Sequence, residues 1–287
     1  MAQAALKPKR RVSLRKAAGV ALTHAALLTL SCIFLIPLYW MVSTSVKTDV
    51  QLQALPPVWI PSPPTGEHYQ KALSSMAFFR MLGNTLIVAG LTVLGTVISC
   101  SLVAYSLAMT RWKGRDWLFY LLLATMMLPA QVTMVPLFVL FTRMGWVDTF
   151  APLTVPHFFG SAFSIFLMRQ FFLGIPRDLS EAARIDGCGL WGIYARIVMP
   201  LSKPVIATVA LFAFLAAWND YLGPLIYLAS EENFTLSIGL AMFNSQYGTF
   251  PGRLMAVSTV MTIPILVLFF LTQRTFIQGM STSGIKG

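Results

Sequence analysis

Asp220 is a carboxylate inside the uncharged run LAAWNDYLGPLIYL. It lies about eight residues short of the end of that stretch, which on a helix rising about 1.5 Å per residue puts it roughly 12 Å below a bilayer surface. An acid that short does not snorkel to water, and an intramembrane carboxylate is tolerated where it faces a bundle interior or a water-filled cavity. Trp218 and Asn219 beside it add an aromatic face and an amide, groups suited to a polyhydroxylated solute. Asn84 and Gln131, in other apolar runs, are further polar candidates for such a pathway, and equally candidates for a structural interhelical hydrogen bond to Asp220. A second polar concentration, EAARIDGCGLWGIYARIVMPLSKP over residues 181–204, interrupts the apolar chain and has the look of a docking element. A reaction centre is not visible. No His/Asp/Glu cluster falls within the apolar runs, His157 has no second metal ligand near it, and Cys32, Cys100 and Cys188 fall in different segments.

Composition defines what holds these residues. Of 287 residues, 56% are hydrophobic and 11% charged, where a soluble domain carries roughly a quarter charged; mean hydropathy is +0.71. A helix crosses the hydrocarbon with about 20 mostly apolar residues, and the stretches 17–46, 81–110, 117–142, 149–168, 204–230 (broken by Asp220) and 254–273 qualify. The expected fold is therefore all-α, an integral membrane protein of six transmembrane helices, since the alternation of barrel strands is missing.

Basic residues set the orientation. With the N-terminus inside, all but five of the 21 Lys and Arg fall on the cytoplasmic side, the exceptions being Lys47, Lys71, Arg80, Arg143 and Arg253. Both termini are thus expected to be cytoplasmic. The net charge of +11 is dispersed over short loops without a nucleic-acid motif, so topology and anionic lipid account for it. The organisation that follows is a basic segment 1–16, a single six-helix transmembrane domain 17–274 and a cytoplasmic tail 275–287. Within the domain lie an external loop 43–80, rich in proline and suited to an extended cap, and a cytoplasmic loop 174–203 between helices 4 and 5.

In that cytoplasmic loop Asp178 is placed to cap a helix, with Glu181 three residues on reaching back to complete a capping box. Gly187 supplies the left-handed turn that ends it. Leu179, Ala182, Ala183 and Ile185 give this helix a small, partly apolar surface, and a second helix carries Leu190, Trp191, Ile193, Tyr194 and Ile197 against the membrane domain. Pro129, Pro136 and Pro264 are expected to kink their helices.

The spacing Glu-Ala-Ala, three residues, Gly187, nine residues, Ile197, one residue, Met199-Pro200 resembles the EAA coupling loop of binding-protein-dependent ABC importer permeases. Met199 and Cys188 are mild departures, at places where Leu and Ala are usual. NTL at Asn84, LPAQVTMVPLF from Leu128, GWVDT from Gly145, FLMRQFF from Phe166, WNDYLGPL from Trp218 and the tail FIQGMSTSGIKG extend the likeness over nearly the whole chain, to the maltose-type second permease of the carbohydrate branch. The resemblance implies a sugar or oligosaccharide importer subunit in a bacterial or archaeal cytoplasmic membrane. Its partners would be a homologous second permease, two copies of an ABC ATPase and an extracytoplasmic solute-binding protein. It implies that Glu181, Ala182, Ala183, Asp186 and Gly187 transmit ATPase closure, and that Thr282, Ser283, Gly284, Ile285, Lys286 and Gly287 reach into the ATPase dimer. No G-x-x-x-x-G-K-[ST] loop occurs, so ATP and Mg belong to the partner ATPase, and the chain is expected to carry no cofactor and to be no enzyme itself. The rival readings are an ion-coupled secondary transporter, poorly served by one intramembrane acid, and an ABC permease for another solute such as a glycerol-phosphate conjugate.

Overall fold

The computed structural model describes residues 14–245 and 248–283. Its elements are helical apart from a two-residue antiparallel pairing, β1 (Asn244–Ser245) with β2 (Gly248–Thr249). Helices close every backbone hydrogen bond within the segment, which lipid requires. Among the described residues, the helical stretches Ala18–Ser45, Phe78–Met109, Ala151–Leu173 and Pro251–Gln273 are each long and apolar enough to span.

The third expected span is bent: α5 (Arg115–Thr125) is followed by α6 (Ala130–Arg143), turned by 93°. The fifth, expected over 204–230, is the helix Lys203–Asn219, and the helical run Leu190–Leu201 of the preceding loop turns into it by 78°. Proline causes both breaks. Pro129 sits extended at the start of α6, its ring disfavouring a helical Leu128, and Pro204 occupies the first turn of the helix that begins at Lys203. Pro136 stays inside α6, and the strong bend falls at Pro129.

In chain order, α1 (Leu14–Ser45) leads into the proline-rich loop, which is partly folded into α2 (Asp49–Leu52) and α3 (Glu67–Ser75), where proline content alone suggested extended chain. An aromatic clamp holds this cap to α1. Tyr39 and Ser43 donate to the Trp59 carbonyl at 3.0 and 2.6 Å, Trp40 meets Trp59 edge-on at 5.1 Å, and the Lys47 ammonium lies 3.7 Å over the Trp40 ring. The central helix α4 (Phe78–Met109) then packs against the fourth span. That span is α7 (Ala151–Thr154), a 3-10 turn over Val155–Phe159, and α8 (Ala162–Leu173).

The loop over 174–203 contributes α9 (Arg177–Ile185), α10 (Leu190–Ile193), a π turn over Tyr194–Val198, and α11 (Met199–Leu201). The fifth span, α12 (Lys203–Asn219), is followed by the short α13 (Leu222–Tyr227) and α14 (Leu236–Ala241). The last helix, α15 (Pro251–Ser283), runs through residues that the sequence assigns to a separate tail. Once nucleated, a helix propagates through polar residues that do not break it.

Three buried clusters organise the bundle. One joins α4, α8 and α12 to the loop over 174–203 through Phe172, Ala183, Ile193 and Val198; a second gathers Met81, Trp218, Leu236 and Val257; a third holds Val88, Phe141, Leu153 and Tyr227. Arg169 ties α5 to α8. Its guanidinium stacks 3.9 Å over Phe119 and donates to Asp116 at 3.3 Å and to the Leu107 carbonyl at 3.4 Å.

A left-handed residue fastens the loop after α6 to the one after α13. Asp148 (φ 63°) accepts from the amides of Ala229 and Ser230 at 2.9 Å each, from the Ser230 hydroxyl and from Asn233. Those donors hold its carboxyl far below the usual carboxylate range. A depressed folded pKa gives stability that is complete above the unfolded value of about 3.9 and is lost only as pH falls through the folded one. Asp148→Ala is therefore expected to lower the unfolding temperature by the same amount at pH 7 and pH 5, read by tryptophan fluorescence. A difference that vanished by pH 5 would contradict this staple.

Candidate functional site: a coupling loop and a polar cavity

Helix α9 starts one residue after Pro176, which takes the cap position. Asp178 thus falls in the first turn, and the expected capping box with Glu181 does not form: no side chain caps this helix. Proline at the cap forgoes an amide that would be unpaired anyway, and Asp178 still meets the positive end of the helix dipole. The other end closes with a paired turn. Gly187 (φ +84°) donates to the Arg184 carbonyl at 3.0 Å and Cys188 to that of Ala183 at 2.8 Å, the two bonds of a Schellman motif.

The faces of α9 differ sharply. Ala183 is buried in the core cluster with Ile193 and Val198, so it does not belong to the docking surface expected of it. Glu181, Ala182, Asp186 and Gly187 are exposed, and so are Leu179 and Ile185, the latter at 86%. The result is a small apolar knob rimmed by acids and seated on the bundle core. Tyr194 and Tyr105 bolt the following turn to α4, through Ser101 at 2.8 Å and the Leu190 carbonyl at 3.1 Å. Ile193 is buried as expected, but Leu190 and Trp191 are exposed.

The other site is where the fifth span ends. Helix α12 stops at Asn219, Asp220 is extended, and one carboxylate oxygen of Asp220 accepts the Gly223 amide at 3.0 Å, capping α13. Asp220 therefore sits at a helix break and not within a continuous span. A Cβ at position 223 would collide with that carboxylate and with Leu153, so the close approach requires glycine.

A 240 Å³ cavity opens here, its polar lining made by Gln131, Thr133, Asp220 and Tyr227. Gln131 and Asp220 are thus brought to one wall, with no hydrogen bond between them. His157, part-buried in the 3-10 turn, is within electrostatic reach of Asp220. The remaining candidates lie elsewhere. Trp218 is 1% exposed and stacks on Phe214 at 5.3 Å in the second cluster, offering no face to the cavity. Asn219 is exposed and donates to the Leu215 carbonyl of its own helix at 2.8 Å. Asn84 is spent on the carbonyls of Glu232 and Phe234 at 2.8 and 2.9 Å, a staple between α4 and the outer loop. Of the tail candidates, Thr282 and Ser283 end α15, and Gly284, Ile285, Lys286 and Gly287 lie outside the described residues. Sequence reasoning missed the cavity roles of Thr133 and Tyr227 and the proximity of His157; nothing in their local patterns marks them.

Residues 98–282 match the family model described as "Binding-protein-dependent transport system inner membrane component". The chain belongs to this family. Similar proteins include the arabinooligosaccharides transport system permease protein AraQ of Bacillus subtilis, 38% identical over 73% of this chain and 74% of that protein. The trehalose/maltose transport system permease protein MalG of Thermococcus litoralis is 32% identical over 92% and 95%. The diacetylchitobiose uptake system permease protein DasC of Streptomyces coelicolor is 29% identical over 88% and 91%. A crystal structure of a bacterial ABC transporter involved in the import of the acidic polysaccharide alginate shares the fold, with a TM-score of 0.79 at 23% identity, covering 93% of this chain and all of that one. As a member of this permease family the protein is a multi-pass membrane protein.

Proposed function

We propose that this chain is the membrane-spanning permease of an ATP-driven, binding-protein-dependent importer of a sugar or oligosaccharide. Relatives that cover most of its length are named for arabinooligosaccharides, trehalose or maltose, and diacetylchitobiose, which supports the carbohydrate class. The observation that carries the mechanism is α9: an exposed knob of Leu179, Ala182 and Ile185 whose neighbour on the same short helix, Ala183, is packed into the same buried cluster as α4, α8 and α12. Force applied to such a knob reaches the bundle through packed side chains.

The partners are a homologous second permease, two copies of an ABC ATPase that bind the ATP and Mg, and an extracytoplasmic solute-binding protein. Both termini and the α9 loop lie on the cytoplasmic side of a bacterial or archaeal inner membrane. Glu181, Ala182, Asp186 and Gly187 meet the ATPase, Ala183 anchors them, and residues 282–287 form a second contact. Asp220 and Gln131 line the solute pathway. Chemistry belongs to the ATPase, and this chain supplies alternating access.

Uptake into vesicles containing the assembled importer tests the proposal. Accumulation that requires both ATP and the binding protein is expected. Accumulation driven by an ion gradient alone would assign the chain to secondary transport.

A further inference from the structure

Two cavities meet where α4 ends and α5 begins. The first, 320 Å³, lies between that junction and α9, and its walls carry Arg111, Arg115, Arg177 and Arg184 against one acid, Glu181. The second, 420 Å³, shares Arg111, Arg115 and Arg177 and adds Trp112, Trp117 and one acid, Asp116. Among the described residues, Arg111, Arg177 and Arg184 make no hydrogen bond or ion pair, and Arg115 uses its Nε on Asp116 and one terminal nitrogen on the Thr110 carbonyl. The Ser180 hydroxyl, on the wall of the first cavity, is buried without a partner.

Like charges gathered with so few acids are held together at a cost unless an anion joins them. Guanidinium groups bind phosphate oxygens in paired hydrogen bonds. The position points to the source. Arg111 and Arg115 sit between the ends of the two apolar helices α4 and α5, where lipid headgroups lie, with Arg177 and Arg184 lining the same cavity from α9; above them α5 exposes Trp117 (69%), Tyr120 (68%) and Leu121 (48%), an aromatic and apolar strip fit for acyl chains. We propose that this pair of cavities binds the phosphate headgroup of an anionic phospholipid, which bridges the α4–α5 turn and the coupling helix α9. The inference rests on the membrane assignment and is independent of the transported solute.

The full-length chain in detergent micelles, examined by native mass spectrometry with added phosphatidylglycerol, phosphatidylcholine or inorganic phosphate, tests it. Phosphatidylglycerol is expected to be retained, phosphatidylcholine not, and equimolar inorganic phosphate is expected not to displace the lipid. The double variant Arg111→Gln/Arg177→Gln should bind phosphatidylglycerol roughly 25-fold more weakly, about fivefold for each arginine removed from an anionic surface. Arg111→Lys/Arg177→Lys should retain most of it, which separates lost charge from lost fold. Equal retention of the two lipids, or wild-type affinity in the Gln variant, would overturn the lipid site. Displacement by phosphate would mark a free-anion site instead. Undiminished lipid binding with loss of ATPase co-purification would assign these arginines to the ATPase and equally overturn the proposal.

Discussion

Gly187→Leu is expected to uncouple the importer: ATP hydrolysis continues while solute uptake falls roughly tenfold or more. The substitution meets no steric obstacle, since nothing lies within 4 Å of a Cβ built there. Its effect is confined to the backbone. At φ +84° a residue with a β-carbon is strained by about 1–2 kcal/mol, about a tenfold change in the population of the native turn. The bonds from Gly187 to Arg184 and from Cys188 to Ala183 would loosen, and with them the seat of Ala183 in the core. Gly187→Asn, which tolerates the left-handed region, should retain most of the uptake. Normal uptake in the Leu variant, or equal loss in Leu and Asn, would show that this turn does not carry the coupling.

Asp220→Ala is expected to cut solute uptake by roughly ten- to a hundredfold, the loss of one hydrogen bond to a charged group being about 1.5–3 kcal/mol. Two effects contribute, because the carboxylate both caps α13 through Gly223 and faces the cavity with Gln131 and Tyr227. Asp220→Asn separates them: it keeps an acceptor for the Gly223 amide while removing the charge. If the charge serves the pathway, the Asn variant folds normally and still transports poorly. A cysteine at 220 should then be labelled by a water-soluble reagent in one state of the ATP cycle and protected in the other. An Ala variant with normal uptake and a cysteine never labelled would reduce Asp220 to a helix cap.

The chain's apolar stretches were legible because lipid imposes length and charge limits that composition alone reveals. What lay between the residues was not. Pro129 announces a break, but not the 93° angle between α5 and α6. Trp218 looked like a cavity residue because α12, VIATVALFAFLAAW, is apolar on every side, so no periodicity tells which face enters the core. The same uniformity hid the commitment of Asn84 to two carbonyls more than a hundred residues away. In the loop over 174–203 Gly187 was readable from its spacing after the helix. That small Ala183 is buried while large Trp191 is exposed runs against side-chain size, and no local residue preference signals it.

The central claim is that α9 delivers ATPase closure to the bundle, and a cysteine in place of Ala182 tests it most directly. Ala182 is exposed on the knob, and the change to cysteine adds one sulfur atom. In the assembled importer this cysteine is expected to cross-link to the ATPase with a short thiol-reactive reagent that can be cleaved by reduction. ATP-dependent uptake should stop on cross-linking and return on reduction. A cysteine at 182 that remained open to water-soluble reagents throughout the assembled complex, with no cross-link to the ATPase, would contradict the account.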